Sequence, residues 1–186
     1  MRRLFKRRGN SMVEFTFLGI PLMFVLISIF EVARGMWIYH TLAYAMKEAT
    51  RFTIVKGANC ISNGNSCGVT VGTIAGVIRD RGVGLLPDDL TVTMISAPSA
   101  CTPPSSSGCV INQVGSATLT SLLSNATPWP TISNPADPGS YVGNDIVVTG
   151  VYPFRTAFSM FWPGSGGMGS FGVFTLGASA REPIQF

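Results

Sequence analysis

RRGNSMVEFTFLGIPLMFVLISIFEVARG, residues 7–35, decides how this chain folds. A basic leader (Arg2, Arg3, Lys6, Arg7, Arg8) ends at Gly9, and Glu14 stands five residues past that glycine. From Phe15 to Phe30 run 16 residues without a charge. As a helix they rise about 24 Å, a little short of a hydrocarbon core of about 30 Å. Adding Met12 to Glu14 at one end and Val32 to Ala33 at the other closes the gap and puts Glu14 inside the span. A membrane charges about 2.5–3.5 kcal/mol for an acid at mid-helix, so an acid retained there has a partner and a task.

Apolar positions 38, 42, 45, 46 and 49 recur at spacings of three and four, the pattern of one buried helix face. The pattern predicts one helix from about residue 11 to residue 54, its first half in lipid and its second against an outer domain. Pro21 removes a backbone donor and predicts a kink, which Gly19 would ease. Glu31 and Arg34, three apart, form either a helix-surface ion pair or a pair between subunits of a helix bundle.

Net charge is +4, yet five of the 13 Lys/Arg lie in residues 1–9. Cut after Gly9, the chain keeps 8 basic against 9 acidic side chains, a net of −1, so the basic excess is no nucleic-acid signal. It sets topology instead, because a cationic cluster beside an apolar helix stays cytoplasmic and sends the rest of the chain outward. Cys60, Cys67, Cys101 and Cys109 all come after the span, on that outer side. An even count in an oxidising compartment reads as two disulfides, with the short separations favouring Cys60–Cys67 and Cys101–Cys109. A zinc site is the rival reading, but its spacings are wrong and the one histidine, His40, is remote.

Arg-Gly-x-x-x-Val-Glu-Phe, Pro21 seven residues past Glu14, Glu31 closing the apolar run and then Arg34-Gly35 together resemble the TadE-like minor pilins (pseudopilins) of the tight-adherence (Tad/Flp) pilus. Ala180-Arg181-Glu182-Pro183 after a strand fits as well. Phe15 stands where that motif usually has Tyr. The resemblance implies cleavage between Gly9 and Asn10 by a prepilin peptidase, with Glu14 and Phe15 serving assembly. It also implies a minor, pilus-priming or accessory subunit of the inner membrane, whose partners are other pilins, an assembly platform and the bilayer. The chain then divides into a leader over 1–9, an assembly helix over 10–54 and a periplasmic domain over 55–186.

Within that domain, Val71 to Arg79 reads as a short helix carrying β-branched residues. Leu90–Ser96 alternates as a strand, Asp145–Tyr152 is the strongest strand in the chain, and Phe171–Ala180 is a third. Ala97–Gly108 and residues 125–144 are Pro-rich and read as loops. The fold class is therefore α+β: a long N-terminal helix packed on a small antiparallel sheet of three to four strands. Phe154, Phe158, Met160, Phe161 and Trp162 either complete the core or form a docking patch for a subunit or membrane.

Chemistry-bearing motifs are weak. Gly164–Gly169 satisfies G-x-G-x-x-G, but it comes after Trp162-Pro163 and opens no helix. No Walker lysine succeeds it, and no cofactor is expected. His40 has no nucleophile placed to use it. Asp88 and Asp89 read as turn residues. Asp137 and Asp145, in or beside a Pro-rich loop, lack the regular oxygen spacing of a calcium site. The chain reads as a structural subunit, not an enzyme. Two alternatives stay open: a type II secretion pseudopilin, which Pro21 and the Glu31/Arg34 spacing disfavour, and an anchored periplasmic enzyme or binding protein with an uncleaved signal anchor. A cleaved secretory signal fits poorly, since Glu14 interrupts its apolar region and no small-residue site comes after Phe30.

Overall fold

The computed structural model describes residues 10–56, 69–98, 112–130, 144–156 and 173–184. Helix α1 runs Asn10–Lys56, as the apolar pattern predicts, and continues through Pro21. The chain divides into two units, one up to Trp37 and one from Ile38 onward.

From Phe15 to Phe30 α1 is free of charge on every side, and Met12, Phe15, Phe17, Leu18, Leu22, Phe24 and Phe30 are exposed. A helix with no polar face suits an apolar solvent rather than water. Two of its hydroxyls are satisfied within the helix: Thr16 Oγ1 donates to the Met12 carbonyl and Ser28 Oγ to that of Phe24, each at 2.8 Å. Among the described residues this is the one helix long and apolar enough to cross a membrane.

The second unit is α+β. After α1 come α2 (Val71–Arg81), β1 (Thr91–Pro98), β2 (Asn112–Thr118), α3 (Leu119–Leu123), β3 (Asn144–Arg155) and β4 (Val173–Pro183). The four strands lie in the order β2-β1-β3-β4, every neighbouring pair antiparallel. Alternation sets the faces: Val92, Met94 and Ser96 of β1 and Ile146, Val148, Tyr152 and Phe154 of β3 are buried. Against this face α1 buries Leu42, Ala45, Met46 and Ala49. Helix and sheet approach closely at Gly150, where an added Cβ would lie 2.8 Å from Met46 Sδ and 3.1 Å from Leu42 Cδ1. Thr50 and Thr53, also buried, donate to the carbonyls of Met46 and Ala49 at 2.9 and 2.8 Å, so they carry no unmet donor into the core.

Helix α2 forms despite its Gly and β-branched residues because its end is capped and one face is buried. Thr70 Oγ1 accepts from Thr73 N at 3.2 Å, and Val71, Ile74, Ala75 and Ile78 are buried. Gly72 lets the α2 backbone meet the chain after α3. Its N–H bonds the Asn125 carbonyl at 2.8 Å, and an added Cβ would lie 2.8 Å from the Leu123 oxygen and 2.9 Å from the Asn125 oxygen. Those are backbone atoms that cannot rotate aside. Gly72→Ala is expected to cost about 1–3 kcal/mol, the usual range for overpacking. Denaturant unfolding of the full chain in detergent should show an earlier midpoint; an unchanged midpoint would contradict this packing.

Several boundaries differ from the sequence reading. Ala97 and Pro98 belong to β1, where they pair with Asp145 and Asn144. Asp145 lies in β3, where the sequence reading places it, but the strand runs on past Tyr152 to Arg155. Ala180–Pro183 are inside β4, not after it, because β4 runs along β3 to the register Asp145↔Pro183. Strand β2 and helix α3 have no counterpart in the sequence reading. Within 125–130, read as loop, Trp129 is fully buried, its N–H bonded to the Val69 carbonyl at 3.0 Å. Cys60, Cys67, Cys101, Cys109, Asp137, the Gly164–Gly169 motif and the aromatic residues 158–162 lie outside the described residues. Phe154, the described member of that aromatic group, is buried in the core.

Candidate assembly segment

The residues singled out by the N-terminal motif fall on one helix. Gly9 lies outside the described residues and Asn10 is the first residue of α1. Glu14 is one turn further on and exposed, flanked by exposed Met12, Val13 and Phe15, the last 77% accessible. The segment thus presents a carboxylate from a surface that is otherwise apolar. Gly19, Ile20, Met23, Phe24 and Ile27 line a shallow apolar hollow on the same helix. Sequence periodicity does not mark it, because the segment is apolar on every side.

Glu31 and Arg34 form the ion pair expected at this spacing, Arg34 Nη1 to Glu31 Oε1 at 3.8 Å. The pair is asymmetric: Arg34 is half exposed while Glu31 retains 13% of its accessibility. Glu31 Oε2 is buried without a hydrogen-bond partner among the described residues. A half-exposed pair at i, i+3 contributes a few tenths of a kcal/mol at most. The buried oxygen is the more informative feature, since a buried carboxylate oxygen without a donor is costly.

The second half of α1 carries no chemistry of this kind. His40 is exposed, its ring edge-on to Tyr39 with centroids 5.9 Å apart. Arg51 lies 3.8 Å from Glu48 and 3.9 Å from Glu182, which ties α1 to β4. Arg181 donates to Asp145 Oδ2 through Nε at 2.7 Å and through Nη2, bridging β4 and β3 diagonally. The Ala180–Pro183 segment therefore holds the last strand in place. Asp88, at a turn as expected, accepts from Thr120 Oγ1 at 2.6 Å. No group of three or more His, Cys, Asp or Glu side chains able to hold a metal occurs among the described residues.

These features define a chain with one helix able to cross a membrane, an acid near the head of that helix, and an α+β unit after it. The model of the TadE-like protein family matches residues 9–51, so the segment with Glu14, Pro21, Glu31 and Arg34 is TadE-like. The matched family is one of Tad pilus components, and the match covers this segment alone. No curated protein and no solved structure matches the chain.

Proposed function

We propose that this chain is a minor pilin (pseudopilin) of a Tad pilus, made with a leader of residues 1–9 that a prepilin peptidase removes after Gly9. The observation that supports this most is the TadE-like match over residues 9–51 together with one carboxylate, Glu14, on an exposed apolar helix. In this reading residues 10–54 anchor the chain in the inner membrane and pack in the pilus, and 55–186 form a periplasmic domain. Cleavage gives Asn10 a free α-amine one helical turn from Glu14. In low dielectric neither charge is stable alone, so the carboxylate of one subunit neutralises the amine of a neighbour. A buried polar pair of this kind fixes register. Phe15 packs beside that pair, Pro21 shapes the helix, and Glu31 and Arg34 lie at the helix interface. Cys60–Cys67 and Cys101–Cys109 close two local disulfide loops in the periplasm, each worth roughly 2–3 kcal/mol by loop entropy.

The partners are the peptidase, other pilin and minor pilin subunits, and the assembly platform, and the outcome is pilus initiation and surface adherence. The test is genetic. Deleting the chain from its host should abolish or sharply reduce surface pili seen by electron microscopy, with recovery on complementation. Undiminished piliation would refute the proposal and favour an anchored enzyme or binding protein.

A further inference from the structure

Charge pairing in the unit from Ile38 onward leaves a mismatch on two neighbouring surfaces. Of the described carboxylates there, Glu48, Asp80, Asp89, Asp145 and Glu182 each have an arginine partner. Asp88 is exposed and accepts from the Thr120 hydroxyl at 2.6 Å, with no cation partner among the described residues. Lys56 and Arg81 are its converse, cations with no carboxylate partner among the described residues. Both line a groove of about 510 Å³ formed by the end of α1 and the second half of α2. Phe52, Val55 and Val77 supply its apolar lining, and Lys56 Nζ lies 5.2 Å from the Phe52 ring centroid. Its two acids, Glu48 and Asp80, are already taken by Arg51 and Arg79.

The chain leaves α2 through Gly82 into the turn segment that carries Asp88. There the Leu85 N–H bonds the Gly82 carbonyl at 3.0 Å, and the Leu86 carbonyl accepts from the N–H groups of Asp89 and Leu90, each at 3.1 Å. Leu85 is buried, and Gly84 takes a φ of +89°, which favours glycine. On this braced segment Val83 is 66% exposed and Leu86 60%. Apolar side chains held out by a hydrogen-bonded turn lose little entropy on docking.

We propose that this groove receives the Val83–Asp88 turn segment of a second copy of the chain. Val83 and Leu86 cover Phe52, Val55 and Val77, and Asp88 meets Lys56 and Arg81. Complementarity selects the second copy as the occupant. The turn offers an apolar pair and the unit's one described carboxylate without a cation, and the groove offers an apolar lining and two cations without a carboxylate. The turn comes directly after α2, and α2 lines the groove, so both features share one patch. One two-fold axis then seats each copy's turn in the other's groove, an isologous contact. The charged pair sets its register. Every residue involved lies from Ile38 onward, so the contact is independent of the prepilin reading.

The test uses the full chain in detergent. Sedimentation gives the dimer fraction against concentration. The photocrosslinker p-benzoylphenylalanine replaces Leu86 in a mixture of light and heavy-isotope chains, so that adducts between copies are told apart by mass. The expected result is a dimer whose adducts from position 86 fall on residues 52–56 and 77–81 of the other copy. Asp88→Lys alone, or Lys56→Glu with Arg81→Glu, should weaken dimerisation roughly tenfold or more, and the three changes together should recover most of it. A monomer at every concentration would overturn the proposal, as would adducts from 86 that fall elsewhere or within one copy. A dimer indifferent to the charge reversals, or a triple variant as weak as its parents, would overturn it too.

Discussion

Glu14→Ala is expected to leave insertion and leader removal intact and to abolish incorporation into the pilus. Glu14 sits on an exposed, otherwise apolar stretch of helix, so its removal makes the helix better suited to lipid. What it removes is the counter-charge for the Asn10 amine of a neighbouring subunit. Leaving one member of a buried pair uncompensated costs about 3–5 kcal/mol, which at 1.4 kcal/mol per tenfold lowers incorporation by roughly 10²–10⁴. Sheared surface fractions should lack the variant while membrane fractions hold wild-type amounts. Glu14→Asp should recover part of the loss, because the charge remains on a shorter side chain. Wild-type levels of Glu14→Ala in the sheared fraction would rule out the charge-pairing role.

Leu42→Ala has the largest effect expected on the fold of the second unit. Leu42 is fully buried and meets β3 at Gly150, where the helix and sheet approach closely. Gly150 has no side chain to move into the space, so the cavity cannot be filled from across the seam. A Leu→Ala change at such a site costs about 2–5 kcal/mol. Tyr39→Ala, at an exposed position of the same helix, should stay within about 0.5 kcal/mol. Thermal unfolding of both variants in detergent, together with limited proteolysis, separates them. Equal stability would mean that α1 is not the helix that covers the sheet.

The residues explain which elements were legible. Helix α1 announces itself twice, by its charge-free run and by the spacing of Leu42, Ala45, Met46 and Ala49. Strand β1 alternates apolar and polar side chains as far as Met94 because only one face is buried, and β3 is legible instead from its β-branched run Ile146–Val148 with Thr149 and Val151. Strand β2, Asn112–Thr118, reads NQVGSAT: it is an edge strand, and a register irregularity against Val92 and Met94 breaks its period. Helix α3 spans five residues, too few to display a repeat. Trp129 is core because the Val69 carbonyl holds its backbone, a contact across sixty positions of sequence. The end of β4 is likewise set by Arg181 meeting Asp145, 36 residues away. In the assembly segment the identity of Glu14 and the Glu31/Arg34 pair were readable from spacing. The buried second oxygen of Glu31 and the link from Arg51 to Glu182 depend on packing in space.

The central claim is that this chain is made as a prepilin, and N-terminal analysis with intact mass of the protein extracted from its host membrane tests it most directly. The account predicts a chain beginning at Asn10, without the nine leader residues. A chain beginning at Met1 would contradict it. The basic leader would then be an ordinary membrane anchor flank, and no free amine at Asn10 would exist for Glu14 to neutralise.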